Sequence, residues 1–396
     1  MEEINDTRTA TRQASPRVYS PEETRLDVPQ DPLIERSVTG ARTLLESWER
    51  TDHNGAPRVA QAAANFYLPS LPKCPGHNTP HIVLWEKDGL PDGILIGHRS
   101  VRRSRLSLAK IPIPMPRLRR LEVTTGGLET HSRETARRQA AYLRRLLRSR
   151  EFDCITICNL PLDSEIGRIL NGGLRFPGDG KPDVAGHWFT ELTDERGHPI
   201  VSHSAKTRGS FRRMDRKLCK LFADRVELRE FHAPDQVKEF ISAAARIGEC
   251  SYQHAMGVGV QNDASWREKL RLYADYGSLR AYLLVGDGKP LAYAVGALWG
   301  NTYSGIATSF LPEFATVSPG GYLLRRMIEQ FQQAGIRWFD LGVPDYDYKK
   351  VYGTLRREVA TFCFFATTPA AKTATLLDSG VANLRKTVRR LRSSKE

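Results

Sequence analysis

The stretch Leu311–Gly342, "LPEFATVSPGGYLLRRMIEQFQQAGIRWFDLG", decides how the chain is read. Ser-Pro-Gly-Gly stands directly before residues with helical periodicity, and Leu323, Leu324, Met327, Ile328 and Phe331 mark one apolar face. A Gly then stops the helix, and "IRWFDLG" reads as a strand. Ser318 is expected to cap the helix, and Pro319 suits its first position. Gly320 and Gly321 leave the first-turn N–H groups uncovered. Such donors at the positive end of a helix dipole make an anion site, although the same pattern also describes a helix start that only packs.

Upstream, "VGDGKPLAYAVG" (Val285–Gly296) is a hairpin signal, an Asp-Gly turn between two apolar strands. Its Asp287, Gly288, Pro290 and Gly296 share their offsets with Asp88, Gly89, Pro91 and Gly97 in "WEKDGLPDGILIG". The segments after the two hairpins are parallel as well. The first hairpin continues through "RLSLAKIPI" and "RRLEVTT" to the helix "ETARRQAAYLRRLLRSR" and the strand "FDCITICNLP"; the second continues through "NTYSGIATSF" to the helix and strand of Leu311–Gly342. The series predicts two tandem copies of one α/β unit at 33–195 and 196–369, with the boundary between Gly186 and Lys206. "SVTGARTLLESWERT" and "PRVAQAAANFYLPSL" are expected to add two helices. Residues 1–32 lack periodicity and are expected to be disordered. Residues 370–396 read as a basic helix with Val381, Leu384, Val388 and Leu391 on one side, able to dock on the protein, RNA or an anionic membrane surface.

At 396 residues the chain exceeds the size of one typical core. No run approaches the roughly 18 apolar residues of a membrane span, and the N-terminus lacks a signal peptide's apolar core, so a cytoplasmic protein is expected. The six cysteines form no CxxC pair, which argues against structural zinc and against a disulfide framework; no metal is expected. A net charge of +14 points to anionic partners, with basic runs at Arg99–Arg120, Arg137–Arg150 and Lys206–Lys220. A phosphate-rich ligand, RNA, a membrane surface and plain solvated helix faces all remain open.

The element order of the second copy resembles the GNAT N-acetyltransferase fold, a mixed, mainly antiparallel sheet flanked by helices. Leu311–Gly342, "YDYKKVYGT" (Tyr346–Thr354), "RGSFRRMDRKLCKLF" (Arg208–Phe222) and "FDCITICNLP" (Phe152–Pro161) resemble one branch of it: the acetyltransferase-like domain of cellulose-biosynthesis-type proteins, related to the Fem peptidoglycan aminoacyltransferases. The likeness runs from about Arg36 to Thr368. It implies a GNAT-type N-acyltransferase moving an acyl group from acyl-CoA, acetyl-CoA first, to an amine or hydroxyl, with a link to polysaccharide or cell-envelope biosynthesis. The acceptor would be a small molecule, saccharide or peptide. The alternative is a Fem-like aminoacyl-tRNA-dependent transferase, with tRNA as partner. In Fem enzymes, as here, two GNAT-like units are fused, and the second usually keeps the chemistry. The first would then cover the cleft and help bind the acceptor.

The resemblance places the donor at Ser318, Gly320, Gly321 and Tyr322. The family's Arg/Gln-x-x-Gly-x-Gly/Ala pattern, set on Gly320, meets Val317 at its basic position and Tyr322 at its last. Lys349 matches the first lysine of the Fem aromatic-Lys-Lys-x-aromatic-Gly segment and would stabilise a phosphate or an oxyanion. Ligands of open α/β sheets collect beyond strand ends, which makes Asp340, Asp345, Tyr346 and Tyr348 cleft candidates. Asp340 would orient an amine or serve only as a cap or salt-bridge partner, and Tyr352 would act as general acid or pack. Glu313 either faces the acceptor or closes a loop. His203, His232 and His254 are isolated, and Arg212, Arg213 and Arg216 form a helical stripe open to acceptor, RNA or solvent.

Overall fold

Asp88-Gly89 and Asp287-Gly288 each close a two-residue hairpin in the computed structural model. Strands β2 (Thr79–Lys87) and β3 (Leu90–Arg103) turn at Lys87↔Leu90; β10 (Leu279–Gly286) and β11 (Lys289–Trp299) turn at Gly286↔Lys289. Asp88, Gly89, Asp287 and Gly288 have φ of 55°, 76°, 49° and 77°. Positive φ at both central residues gives the turn whose twist matches the strands. Each hairpin also slips register at the same place, at Trp85/Glu86 and at Leu284/Val285, so the repeat extends to its irregularities.

The structure describes residues 31–51, 57, 59–71, 78–104, 106–108, 111–172, 181–200, 203–250, 259–343 and 345–393, the side chains of 108 and 382–393 excepted. Apart from residues 31 and 32, the segment expected to be disordered lies outside these, as do His254 and the side chains of Leu384, Val388 and Leu391.

Twelve of the described strands form one sheet. From the first edge it runs β1 (Leu33–Glu35), β2, β3, β6 (Arg117–Thr130), β7 (Cys154–Pro161), β14 (Leu355–Phe365) and β8 (Asp183–Glu191). It continues through β13 (Trp338–Gly342), β12 (Thr302–Phe310), β11 and β10 to β9 (Val226–Phe231). Among these strands only β6/β7 and β12/β13 pair in parallel. The last strand, β14, lies against β7 of the first copy, and β8 pairs with β13 of the second. The copies are therefore interlocked within one sheet.

Each parallel pair is spanned by a helix, as a parallel connection requires. Helix α3 (Arg133–Arg148) starts where Ser132 accepts from the Thr135 N–H, and it buries Ala136, Ala140, Leu143, Leu146 and Leu147 against β6 and β7. A fully buried leucine contributes about 2 kcal/mol. Helix α8 (Pro319–Gln333) does the same for β12 and β13 with Leu323, Met327 and Phe331. Helices α6 (Val237–Glu249) and α7 (Ala264–Asp275) cover the opposite face of β10 and β11. On the first copy α1 (Val38–Glu49) and α2 (Ala64–Ser70) cover β2 and β3. The second expected helix is in fact divided, because Ala63 is extended (φ −72°, ψ 140°) between a 3₁₀ turn at Ala60–Ala62 and α2. The segment expected as the strand "RLSLAKIPI" folds back as a separate ribbon, β4 (Leu106–Leu108) with β5 (Ile111–Ile113). α4 (Glu165–Asn171) packs on α3 and β6, α5 (Ala205–Leu221) follows β8 in the chain and packs against α8, and the basic tail is helical over α10 (Pro369–Ser393), where Ala374 packs on Met115 and Leu118.

Both parallel pairs are short. β6 and β7 stay in register only to Val123↔Ile157, and β12 and β13 only to Ser304↔Asp340. Beyond those rungs the strands part, which opens the sheet at two places.

Candidate active site at the second strand opening

Asp340 lies at the last parallel rung, where β13 leaves β12. Its carboxylate is buried. Oδ1 accepts from the Gly342 N–H at 2.7 Å and lies 2.6 Å from Nε2 of His187 on β8. The left-handed backbone of Gly342 (φ 76°) swings the chain away from the strand into α9 (Asp347–Tyr352), which returns Lys349 beneath the turn. Lys349 is 2% exposed, and its Nζ donates to the Gly342 carbonyl at 2.8 Å. Burial pushes its pKa down from 10.5 to about 8, although the Asp340 and Asp345 carboxylates pull the other way. A lysine so placed is still a cation at neutral pH, and it can donate to a developing oxyanion.

The loop between Gly342 and α9 is anchored by Asp345. It accepts from Trp188 Nε1 at 2.6 Å and from Arg356 Nε and Nη2 at 3.0 and 3.1 Å, which holds its carboxyl well below the usual range. Gly186 gives it room, since a Cβ there would stand 2.4 Å from Asp345 Oδ1. Tyr346 places its ring 5.3 Å from Lys349 Nζ and stacks on Tyr348, both rings exposed.

The Ser-Pro-Gly-Gly turn meets this loop through Tyr352. Ser318 occupies the cap position, but its side chain makes no capping bond. It follows a 3₁₀ turn (Pro312–Val317) in left-handed conformation, φ 51° and ψ 59°, in place of the extended backbone from which a cap side chain reaches the first-turn amides. A Cβ on Gly321 would stand 2.6 Å from Ser318 Oγ, 3.1 Å from Arg325 Nη1 and 3.4 Å from Tyr352 Oη, so these groups converge on one helix start. Arg325 donates to the Tyr352 hydroxyl at 2.8 Å and pairs with Asp215 of α5. Tyr322 packs in the core beside Leu323, beneath the Arg326 guanidinium.

Of the residues expected from sequence, Asp340 and Lys349 meet around Gly342, whereas Ser318, Gly321 and Tyr352 meet around Arg325. Glu313 pairs with Lys289 at 2.5 Å, and His232 lies 3.1 Å from Glu230. His203 packs against the Phe211 and Tyr352 rings, and Arg212, Arg213 and Arg216 are exposed on α5. Two further residues join the site, His187 and Arg325. Arg325 lies four residues after Gly321, a spacing that puts both on one helix face. His187 carried no such signal, because its partner is 153 residues away.

Residues 205–350 match the family model described as the acetyltransferase (GNAT) domain. No curated protein matches the chain by sequence. Among solved structures, FemX superposes on 87% of this chain and 100% of its own at 13% identity, with a TM-score of 0.52. The C-terminal domain of a protein described as a lysylphosphatidylglycerol synthetase from Agrobacterium fabrum covers 87% of this chain and 97% of its own, at 12% identity and a TM-score of 0.50. At such identities the likeness is one of fold. Among the described residues no cluster of His, Cys, Asp and Glu is placed to hold a metal, and no helix is long and apolar enough to cross a membrane.

Proposed function

We propose, from the premise that this chain belongs to the GNAT acyltransferase superfamily through its residues 205–350, that it transfers an acyl group from an acyl-CoA, acetyl-CoA first, to an amine. The observation that carries this reading is the buried Lys349, held on the Gly342 carbonyl beside the Asp340 carboxylate at a strand opening. In acyl transfer the amine attacks a carbonyl carbon, and negative charge grows on the carbonyl oxygen. A cation held in a water-poor site stabilises that charge far more than water does, because nothing has to reorganise when it forms. The first-turn amides of α8 would take the donor's phosphates. Arg325 supports this role, for it brings to Gly321 the positive charge that the family pattern places where this chain has Val317.

The test is isothermal titration of acetyl-CoA and longer acyl-CoAs into the wild type and a Gly321→Glu variant. Saturable heat from the wild type and its loss in the variant are expected. An absence of heat with every acyl-CoA would remove the reading.

A second reading, an aminoacyl-tRNA-dependent transferase, is favoured by the +14 charge, by the missing Arg/Gln at Val317 and by the superposition on FemX. The A. fabrum neighbour's name likewise denotes aminoacyl transfer, in its case to a lipid. It predicts tRNA binding that weakens steeply with salt, since each neutralised phosphate releases counterions. No binding of total tRNA at low salt would exclude it.

A further inference from the structure

The segment from Arg99 to Arg120 carries no acid, and the fold brings it against the basic C-terminal helix. Met115 and Leu118 share one small apolar cluster with Ala374 of α10, and Leu106 of β4 and Leu377 of α10 pack against it. Two basic stretches remote in sequence are thereby joined. From Pro369 to Ser393 the helix has a single acid, Asp378.

The arginines of this surface divide by position. Arg102 and Arg120 share the Glu122 carboxylate, and Arg119 pairs with Asp153. Arg103 and Arg117 form the last rung of the β3/β6 ladder, are both exposed, and have no ion-pair partner among the described residues. They stand directly opposite each other, with Cβ atoms of such a pair about 5 Å apart. Like charges so placed weaken a strand pair, and an anion between them removes the penalty. A phosphate group can accept from two guanidinium forks at once.

The β4/β5 ribbon connects the two strands that carry this pair. Its register joins Leu106 to Ile113 at the base and Leu108 to Ile111 at the tip. The apolar cluster holds Leu106, whereas Ile111 is 69% exposed and Pro112 and Pro114 beside it are exposed as well. A two-stranded ribbon this short is marginally stable by itself in water, so its aliphatic tip gains from cover. Val101, two residues before Arg103, and Leu376 of α10 are also exposed.

Aliphatics set among arginines distinguish the partner. Neither 99–120 nor 369–396 contains an aromatic residue, so the surface has no ring on which a nucleic-acid base could stack. A bilayer of anionic lipids matches both features: its phosphates take the arginines, and its headgroup boundary takes the aliphatics.

We propose that this surface docks on an anionic lipid bilayer, with Ile111 entering the headgroup boundary and Arg103 and Arg117 sharing a lipid phosphate. The contact is peripheral and reversible. It is independent of whether the acyl donor is an acyl-CoA or an aminoacyl-tRNA.

Co-sedimentation of the full chain with vesicles of phosphatidylcholine, alone or mixed with phosphatidylglycerol, tests the proposal. Binding is expected on the mixed vesicles only, and it should fall steeply with salt. Arg103→Gln combined with Arg117→Gln should weaken it about thirtyfold. The melting temperature should not fall, because the two cations repel each other across the ladder. Ile111→Ser should weaken binding about tenfold. Leu90→Ser, an equally exposed aliphatic at the other end of β3, should leave it unchanged. Equal binding to phosphatidylcholine alone, or binding to neither vesicle, would overturn the proposal. So would wild-type affinity in the arginine pair or in Ile111→Ser, or an equal loss in Leu90→Ser. Titration with total tRNA separates the other partner class. Affinity for tRNA that the arginine pair loses and Ile111→Ser keeps, without vesicle binding, would assign the surface to RNA instead.

Discussion

Lys349 Nζ donates to the Gly342 carbonyl at 2.8 Å, so the cation of the site is tied to the residue that ends β13. The unfolded lysine keeps its proton to its ordinary 10.5, and the buried one releases it near 8. Between those values the unfolded chain binds more protons, so stability must rise with pH; below about 8 both forms are charged and the cost of burial is constant. Lys349→Met should abolish this slope, worth about 3 kcal/mol at most across the window. Urea midpoints of the two proteins at about pH 7.5 and pH 10 measure it. A parallel pH response in both would show that the ammonium is not buried as described. Turnover of the variant should fall by about a hundredfold or more.

Asp345 anchors the loop that carries Lys349, yet it lies at the surface. Asp345→Asn should leave the denaturation midpoint almost unchanged, since exposed ion pairs contribute little. Loss of the Trp188 and Arg356 bonds should instead speed amide exchange in α9. The carboxyl is held below its ordinary 3.8, so its contribution is present above that pH and disappears as pH falls beneath it. The exchange difference between wild type and variant should therefore vanish in acid.

Local chemistry in the chain predicts much of this architecture. The two Asp-Gly turns, the apolar faces of α3 and α8, and the strand after each follow from periodicity and turn residues. The exchange of β14 and β8 between the copies does not, because any apolar strand can pair with either neighbour and only the whole sheet decides. The site divides in the same way. Lys349, Asp340 and the Gly320–Gly321 turn lie in one continuous segment and read together. His187 is 153 residues from Asp340, and nothing in "VAGHWFTEL" hints at the pairing. The capping expected of Ser318 fails because the preceding 3₁₀ turn forces a left-handed backbone, which a Ser-Pro pair does not announce.

Asp153 ties three elements together on the far side of the first copy. Its buried carboxylate accepts from the Arg119 backbone at 2.8 Å, from the Arg119 guanidinium at 2.9 and 3.1 Å, and from the Thr368 hydroxyl at 2.7 Å, where α10 begins. Asp153→Ala leaves these donors unmatched and should cost roughly 2–3 kcal/mol in chemical unfolding. Thr368→Val, which removes one neutral donor, should cost about 1 kcal/mol. The order of the two matters more than the values, and a reversed order would show that α10 is not fastened by this carboxylate.

Arg325 lies between two demands, the Asp215 carboxylate and the helix start at Gly321. If the guanidinium serves only to pair with Asp215 and to pack on the Phe211 ring 4.6 Å away, Arg325→Gln and Asp215→Asn should be destabilising and leave ligand affinity alone. If it also meets the donor's phosphates, the two variants should diverge. Arg325→Gln removes a charge-assisted hydrogen bond and should weaken acetyl-CoA binding about tenfold. Asp215→Asn removes the competing anion, so affinity should hold or increase even as the melting temperature falls. Paired titrations and thermal melts of both proteins separate the cases, and an equal loss of affinity in the two variants would assign Arg325 to the scaffold alone.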